Sequence, residues 1–187
     1  GEVLFDGIST RELSKHSLRQ SISSVLQGSA VYTGTIGENI RIGNPDATEQ
    51  QIADAARIAQ LSGFIESVDG GMDYESKQAG KNLSGGQKQR LSIARAIVKD
   101  VPIYIFDDSF SALDFLTEKN LRAALNEKLR GRTQIVVTQR ITSAMSADRI
   151  FVMDNGELVD QGTHTELLER CRIYREIFAS QTGGGTK

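Results

Sequence analysis

Two glycines directly after a serine, in Leu83-Ser84-Gly85-Gly86-Gln87, let main-chain amides come close to an anion. The run that follows, Lys88 to Val98, has apolar residues at helical spacing. The serine and glycine amides are therefore expected at a helix N-terminus, where unpaired N–H groups and the helix dipole favour a phosphate. Further on, Ile103-Tyr104-Ile105-Phe106 reads as a buried strand ending in Asp107 and Asp108, two carboxylates suited to holding Mg2+ beside a nucleotide. Gln27 follows another expected strand, Ile22 to Leu26, and its amide can contact Mg2+ or orient a water. The chemistry this set supports is binding of a magnesium nucleotide through its phosphates.

Several elements must position these groups. Gly1 to Gly7 reads as a strand running into a turn. Gly34 to Gly43 mixes glycine with Ile36, Ile40 and Ile42, as a connector or short helix would. Thr48 and Gln51 form a capping box opening a helix to about Gln60, with Ile52, Ala55, Ala56 and Ala59 on one face. A second short helix is expected over 63–68, before the Gly70-Gly71 break. This middle region reads as a helical lobe inserted into a sheet-based core. Beyond the glycine-led helix, strands and helices alternate as in an α/β domain: strand 102–107, helix 117–129 stopped by Gly131, and strand 133–138. A short helix around 143–145 and strand 149–153 follow. Asp154-Asn155-Gly156 then predicts a tight hairpin into 157–161. Thr163 and Glu166 make another capping box, opening one terminal helix through Phe178, and 181–187 has no periodicity and reads as a flexible tail.

Composition narrows the function classes. The chain has 187 residues, enough for one good core, and a net charge of −2, so no overall basic field recruits nucleic acid. Its longest apolar runs, such as Ile135-Val136-Val137, are too short to span a bilayer. Cys171, the single cysteine, cannot form an internal disulfide and reads as a packing residue. His16 and His164 read as solvated residues.

The glycine run with Gln89-Arg90 behind it, followed by the aspartate-tipped strand, resembles the ATP-binding cassette (ABC) family. The resemblance implies an α/β fold: a P-loop NTPase-like ABC ATPase core with an inserted helical subdomain over about 34–98, and core segments 1–33 and 99–180. It implies ATP and Mg2+ as ligands. Asp107 matches the Walker B aspartate acting on Mg2+, Asp108 takes the place of the general base, and Gln27 matches the Q-loop glutamine. Ser84, Gly85, Gly86 and Gln87 match the signature that closes over ATP held by an opposing chain, so a second nucleotide-binding domain is implied. Ser111 to Asp114 matches the D-loop that crosses such a dimer. Gly34-Thr35-Ile36-Gly37-Glu38-Asn39-Ile40 and the ending 156–164 resemble exporter-type cassettes. Those cassettes dock on coupling helices of a transmembrane domain, which implies the cytoplasmic face of the cell membrane.

Three departures from the family pattern stand out. Asp108 replaces the usual glutamate, withdrawing the carboxylate by one methylene, and a misplacement of ~1 Å is worth roughly a hundredfold in rate. Gln139 replaces the switch histidine and cannot become cationic or relay a proton as imidazole does. Gln78 stands where many exporters carry a glutamate facing the transmembrane domain. With an unaltered signature, these resemble the degenerate-site chain of a heterodimeric exporter. No GxxxxGK[ST] occurs; in ABC domains that loop lies upstream of the segment resembling residues 1–7. The chain therefore reads as N-terminally truncated, with weak or no ATP binding and no ATPase activity alone, and with an exposed sheet edge. Two alternatives remain open: a soluble ABC ATPase acting on DNA or ribosomes, and a regulatory subunit that binds ATP without turnover.

Overall fold

The computed structural model describes residues 1–28 and 30–183, in two compact units, Gly1–Val137 and a second from Thr138 onward. The first unit opens with β1 (Leu4–Phe5) and β2 (Ile8–Ser9), an antiparallel pair turned by Asp6 and Gly7, both at positive φ. α1 (Lys15–Ser21) follows, capped by Ser14, and no periodicity announced it: none of its residues is buried, so it has no apolar stripe to read. Next come β3 (Ile22–Val25), β4 (Gly34–Thr35), α2 (Ile36–Arg41), α3 (Glu49–Ile58) and α4 (Ser62–Ser67). β5 (Glu75–Ser76) pairs antiparallel with β4. α5 (Gly85–Ile97), β6 (Ile103–Asp107), α6 (Phe115–Lys128) and β7 (Thr133–Val137) complete the unit.

Local chemistry explains these boundaries. α2, α3 and α5 each start in a full capping box, from Thr35 with Glu38, Thr48 with Gln51 and Ser84 with Gln87. Each box satisfies two backbone donors that the helix start would otherwise leave without partners. α6 begins two residues before the expected Thr117, because the Asp114 carboxylate accepts from Thr117 N at 2.9 Å and thereby caps it.

β3, β6 and β7 form a parallel sheet in the order β3-β6-β7, with Val25 opposite Phe106 and Asp107 opposite Val137. Parallel neighbours require crossovers, and the helices supply them. All three strands therefore point their C-terminal ends the same way, bringing residues far apart in sequence to one edge. α2 and α3 pack on α5, which also packs on β3. Ile36, Ile40, Ile52, Leu91, Ile93 and Leu121 are fully enclosed, each burial contributing about 1.5–3 kcal/mol. The face foreseen on α3 (Ile52, Ala55, Ala56 and Ala59) is the buried one. On β7, by contrast, Ile135 and Val137 remain about half exposed, and among the described residues β7 pairs only with β6.

A buried polar knot ties the segment after β3 to α5. Asn39 of α2 accepts from Tyr32 N through Oδ1 at 2.9 Å and donates through Nδ2 to Tyr32 O at 2.9 Å. Arg95 of α5 donates to Asn39 O at 2.8 Å, Asn39 Oδ1 at 2.9 Å and Ala30 O at 2.8 Å, while its guanidinium lies 4.8 Å from the Tyr32 ring centroid. Burial pushes the Arg95 pKa down, with the nearby Tyr32 opposing.

The second unit contains α7 (Ile141–Ala144), the antiparallel pair β8 (Ile150–Asp154) and β9 (Glu157–Gly162), α8 (His164–Arg170) and α9 (Arg172–Thr182). Asn155 and Gly156 both adopt positive φ, as the expected tight hairpin demands. The single terminal helix expected from Thr163 to Phe178 is instead two, broken at extended Cys171. His164 Nδ1 lies 2.8 Å from the Tyr174 hydroxyl. Ten residues of straight helix would separate those positions by about 15 Å, so the contact requires the bend. His164 is thus half-buried rather than solvated, with its ring against Tyr174 and Phe178, whereas His16 is exposed as expected. Cys171 is buried beside Leu167 and Tyr174, a packing residue as read. Gln181 is a helical residue and not part of an aperiodic tail; residues 184–187 lie outside the described residues.

Candidate functional site

The C-terminal edge of the parallel sheet collects the chemistry. Gln27 sits two residues past β3, Asp107 is the last residue of β6, and Asp108 follows it. Gln27 Nε2 donates to Asp108 Oδ2 at 3.5 Å, the outer limit for such a bond. The register places them there, since Val25 and Phe106 are opposed. Ser109 reinforces the junction, its hydroxyl donating to Val25 O at 2.9 Å.

Asp108 has φ of 45°, an unusual conformation for a residue with a side chain. Its N–H donates to Val137 O at 2.9 Å, so the chain end of β7 helps hold the turn. Asp107, Asp108 and the Gln27 amide present hard oxygen ligands on one edge. That set suits a small cation that keeps most of its own waters and shares phosphate oxygens, as Mg2+ does. Among the described residues there is no cluster of three or more His, Cys, Asp or Glu side chains able to cage a metal alone.

The second group forms at the start of α5. Ser84 Oγ accepts from Gln87 N at 3.2 Å, and Gln87 Oε1 accepts from Ser84 N at 2.7 Å. The Gln87 side chain is thereby committed to the helix start, and Ser84 and Gly85 are exposed. The glycines lie close to the loop beyond β6: a Cβ on Gly86 would stand 3.3 Å from Ala112 O, a tight approach, and one on Gly85 3.6 Å from Ala112 Cβ, an ordinary contact. The 111–114 loop therefore packs against the glycine turn.

That loop leads to Asp114, whose exposed carboxylate is held below the usual carboxylate range chiefly by the Thr117 N–H. Burial lowers the Arg90 pKa, partly offset by the Asp114 charge. Arg90 donates to Gly86 O at 3.3 Å and also to Gln60 O, fastening the glycine turn to the end of α3. Gln139 belongs to the second unit, where it is exposed and its carbonyl accepts from Gln181 Nε2 at 2.8 Å. Gln78 is exposed in the 3-10 turn Gln78–Gly80, and the Ala79 carbonyl accepts from Lys88 at 3.1 Å.

Gln89, legible in the sequence only as half of the Gln89-Arg90 pair behind the glycine run, makes contacts that no motif announced. Its Nε2 donates to Asp108 O at 3.3 Å and lies 3.2 Å from Ser111 Oγ, and its Oε1 accepts from Ala112 N at 3.0 Å. The available signal was a glutamine on the apolar face of a helix, where a buried amide must find partners.

A parallel sheet whose central strand ends in Asp107, with a glycine-led helix packed against the loop beyond it, is an arrangement suited to a nucleotide's phosphates and their cation. The family model described as ABC transporter matches residues 1–111, and the chain belongs to that family. An uncharacterized ABC transporter ATP-binding protein of Mycobacterium tuberculosis (strain ATCC 25618 / H37Rv) is 44% identical over 189 residues, covering 100% of this chain and 32% of that protein. The beta-(1→2)glucan export ATP-binding/permease protein NdvA of Rhodopseudomonas palustris (strain BisB5) is 41% identical over 181 residues, covering 97% of this chain and 30% of its own. A solved structure described as a bacterial Atm1-family ABC exporter with ATP bound superposes with a TM-score of 0.94 at 37% identity, covering 97% of this chain and 32% of that one. The chain thus spans about a third of the length of the proteins it matches. It is similar to exporter-type ABC ATP-binding domains. Among the described residues no helix is long and apolar enough to cross a membrane.

Proposed function

We propose that this chain is part of the ATPase domain of a membrane exporter, where ATP binding and hydrolysis drive rearrangement of transmembrane helices at the cytoplasmic face of the membrane. The observation that carries the reading is the convergence of Gln27, Asp107 and Asp108 on one sheet edge, with the α5 N-terminus packed against the loop beyond them. Asp107 and Gln27 are the residues that would hold Mg2+, which when bound would neutralise charge on the phosphates. Asp108 takes the position beside the attacking water, and Gln27 orients that carboxylate. The amides of Ser84, Gly85 and Gly86 stabilise the terminal phosphate of ATP held by a second nucleotide-binding domain, and Asp114 ends the loop that meets that partner.

Asp108 lacks the methylene that would bring its carboxylate closer to water, and Gln139 can donate a hydrogen bond but cannot relay a proton. We therefore assign slow chemistry to this chain's own site and an intact role to its signature in the partner's, the arrangement of a heterodimer. The 187 residues hold no GxxxxGK[ST], so this segment alone is expected to bind Mg-ATP weakly. The test is Asp108→Glu with Gln139→His in the full-length protein. Turnover should rise on the order of 10- to 100-fold as the carboxylate regains its reach. An unchanged rate would remove the reading of a weakened base.

A further inference from the structure

Asp108 is held in a left-handed conformation that only a constraining environment maintains. Part of that environment comes from α5. Gln89 is almost fully buried, and its amide is used at both ends: Nε2 donates to Asp108 O at 3.3 Å and approaches Ser111 Oγ at 3.2 Å, while Oε1 accepts from Ala112 N at 3.0 Å. The Ser111 hydroxyl also lies 3.0 Å from Asp108 O. One side chain therefore clamps the first and fifth residues of the 108–112 turn.

Gln89 stands five residues beyond Ser84 on the same helix, about 7.5 Å along its axis. A single rigid element thus carries both the glycine turn and the clamp. We propose that Gln89 is a positioning residue that locks the 108–114 loop to the signature helix, so that the Asp108 carboxylate and the Gly85–Gly86 amides move as one body. The inference rests on the reading of Asp108 as the residue beside the attacking water. Only an amide meets the geometry: leucine leaves the Ala112 N–H without an acceptor, and glutamate accepts from it but cannot donate to the Asp108 carbonyl.

The test compares Gln89→Leu and Gln89→Glu with wild type in the full-length protein by amide hydrogen exchange. Peptides covering 108–113 should exchange about tenfold faster in the leucine variant, while 103–107 and 133–136 keep their protection. The glutamate variant, which retains the Ala112 bond, should show a smaller local increase and serves if the leucine variant does not fold. Unchanged protection at 108–113, or a uniform loss across the domain, would overturn the clamp. The kinetic arm places Gln89→Leu in the Asp108→Glu background. There the clamp predicts a fall in kcat of about tenfold, with KM for ATP within about twofold of its parent. A rise in KM at constant kcat would overturn the positioning role. If Asp108→Glu alone brings no gain yet protection at 108–113 still depends on Gln89, the reading of Asp108 fails and the clamp stands.

Discussion

Gly43 offers a perturbation whose cost follows from coordinates. It lies just past α2, its N–H donating to Ile40 O at 3.0 Å, with its Cα pressed against α5. A Cβ there would stand 1.9 Å from Arg95 O, 2.9 Å from Arg95 C and 2.9 Å from Val98 Cγ1. Ordinary contact begins near 3.4 Å, so α2 and α5 must part by about 1.5 Å in Gly43→Ala. The obstacle is main chain, which no rotamer change can clear. The same displacement would stretch the 2.8 Å bond from Arg95 to Asn39 O beyond hydrogen-bonding range. Overpacking of this kind costs about 1–3 kcal/mol, and a lost bond to a charged group a further ~1.5–3 kcal/mol. The sum, roughly 2.5–6 kcal/mol, should lower Tm by on the order of 10 °C. Urea or thermal unfolding of the full-length protein, followed by a probe within this domain, measures it. A Gly43→Ala protein within about 0.5 kcal/mol of wild type would refute the steric argument.

Two further outcomes follow from local chemistry. Ser92 Oγ is buried in α5 with no hydrogen-bond partner among the described residues, so Ser92→Ala should be neutral or stabilising by up to about 1 kcal/mol in chemical denaturation; a clear destabilisation would reveal a missed partner. Asp114 has its carboxylate pKa lowered from 3.8 by the Thr117 N–H, so its capping contribution is present above that value and is lost as pH falls through the lower folded one. The stability advantage of wild type over Asp114→Ala should therefore shrink as pH drops below about 4, and a difference constant with pH would contradict it.

Much of the domain was legible in the residues because the signals are local. The Thr48–Gln51 and Thr163–Glu166 boxes, the α3 face and the Asn155-Gly156 turn each declare themselves within a few positions, where capping and φ preference act. The family likewise rests on short motifs. α1 was invisible because it buries nothing, and the α8–α9 break because the His164–Tyr174 contact spans ten residues and owes nothing to periodicity.

The sequence by itself singled out the groups to which the proposed function assigns the chemistry: the glycine turn, the paired carboxylates and the glutamine after a strand. Tertiary structure decided how they meet. Parallel pairing of β3 with β6 brings Gln27 to Asp108 across 81 positions, and the packing of α5 on the 108–112 turn makes Gln89 a clamp. Such a contact depends on register and helix placement, which arise from burial summed over the whole core and leave no mark on the residues nearby.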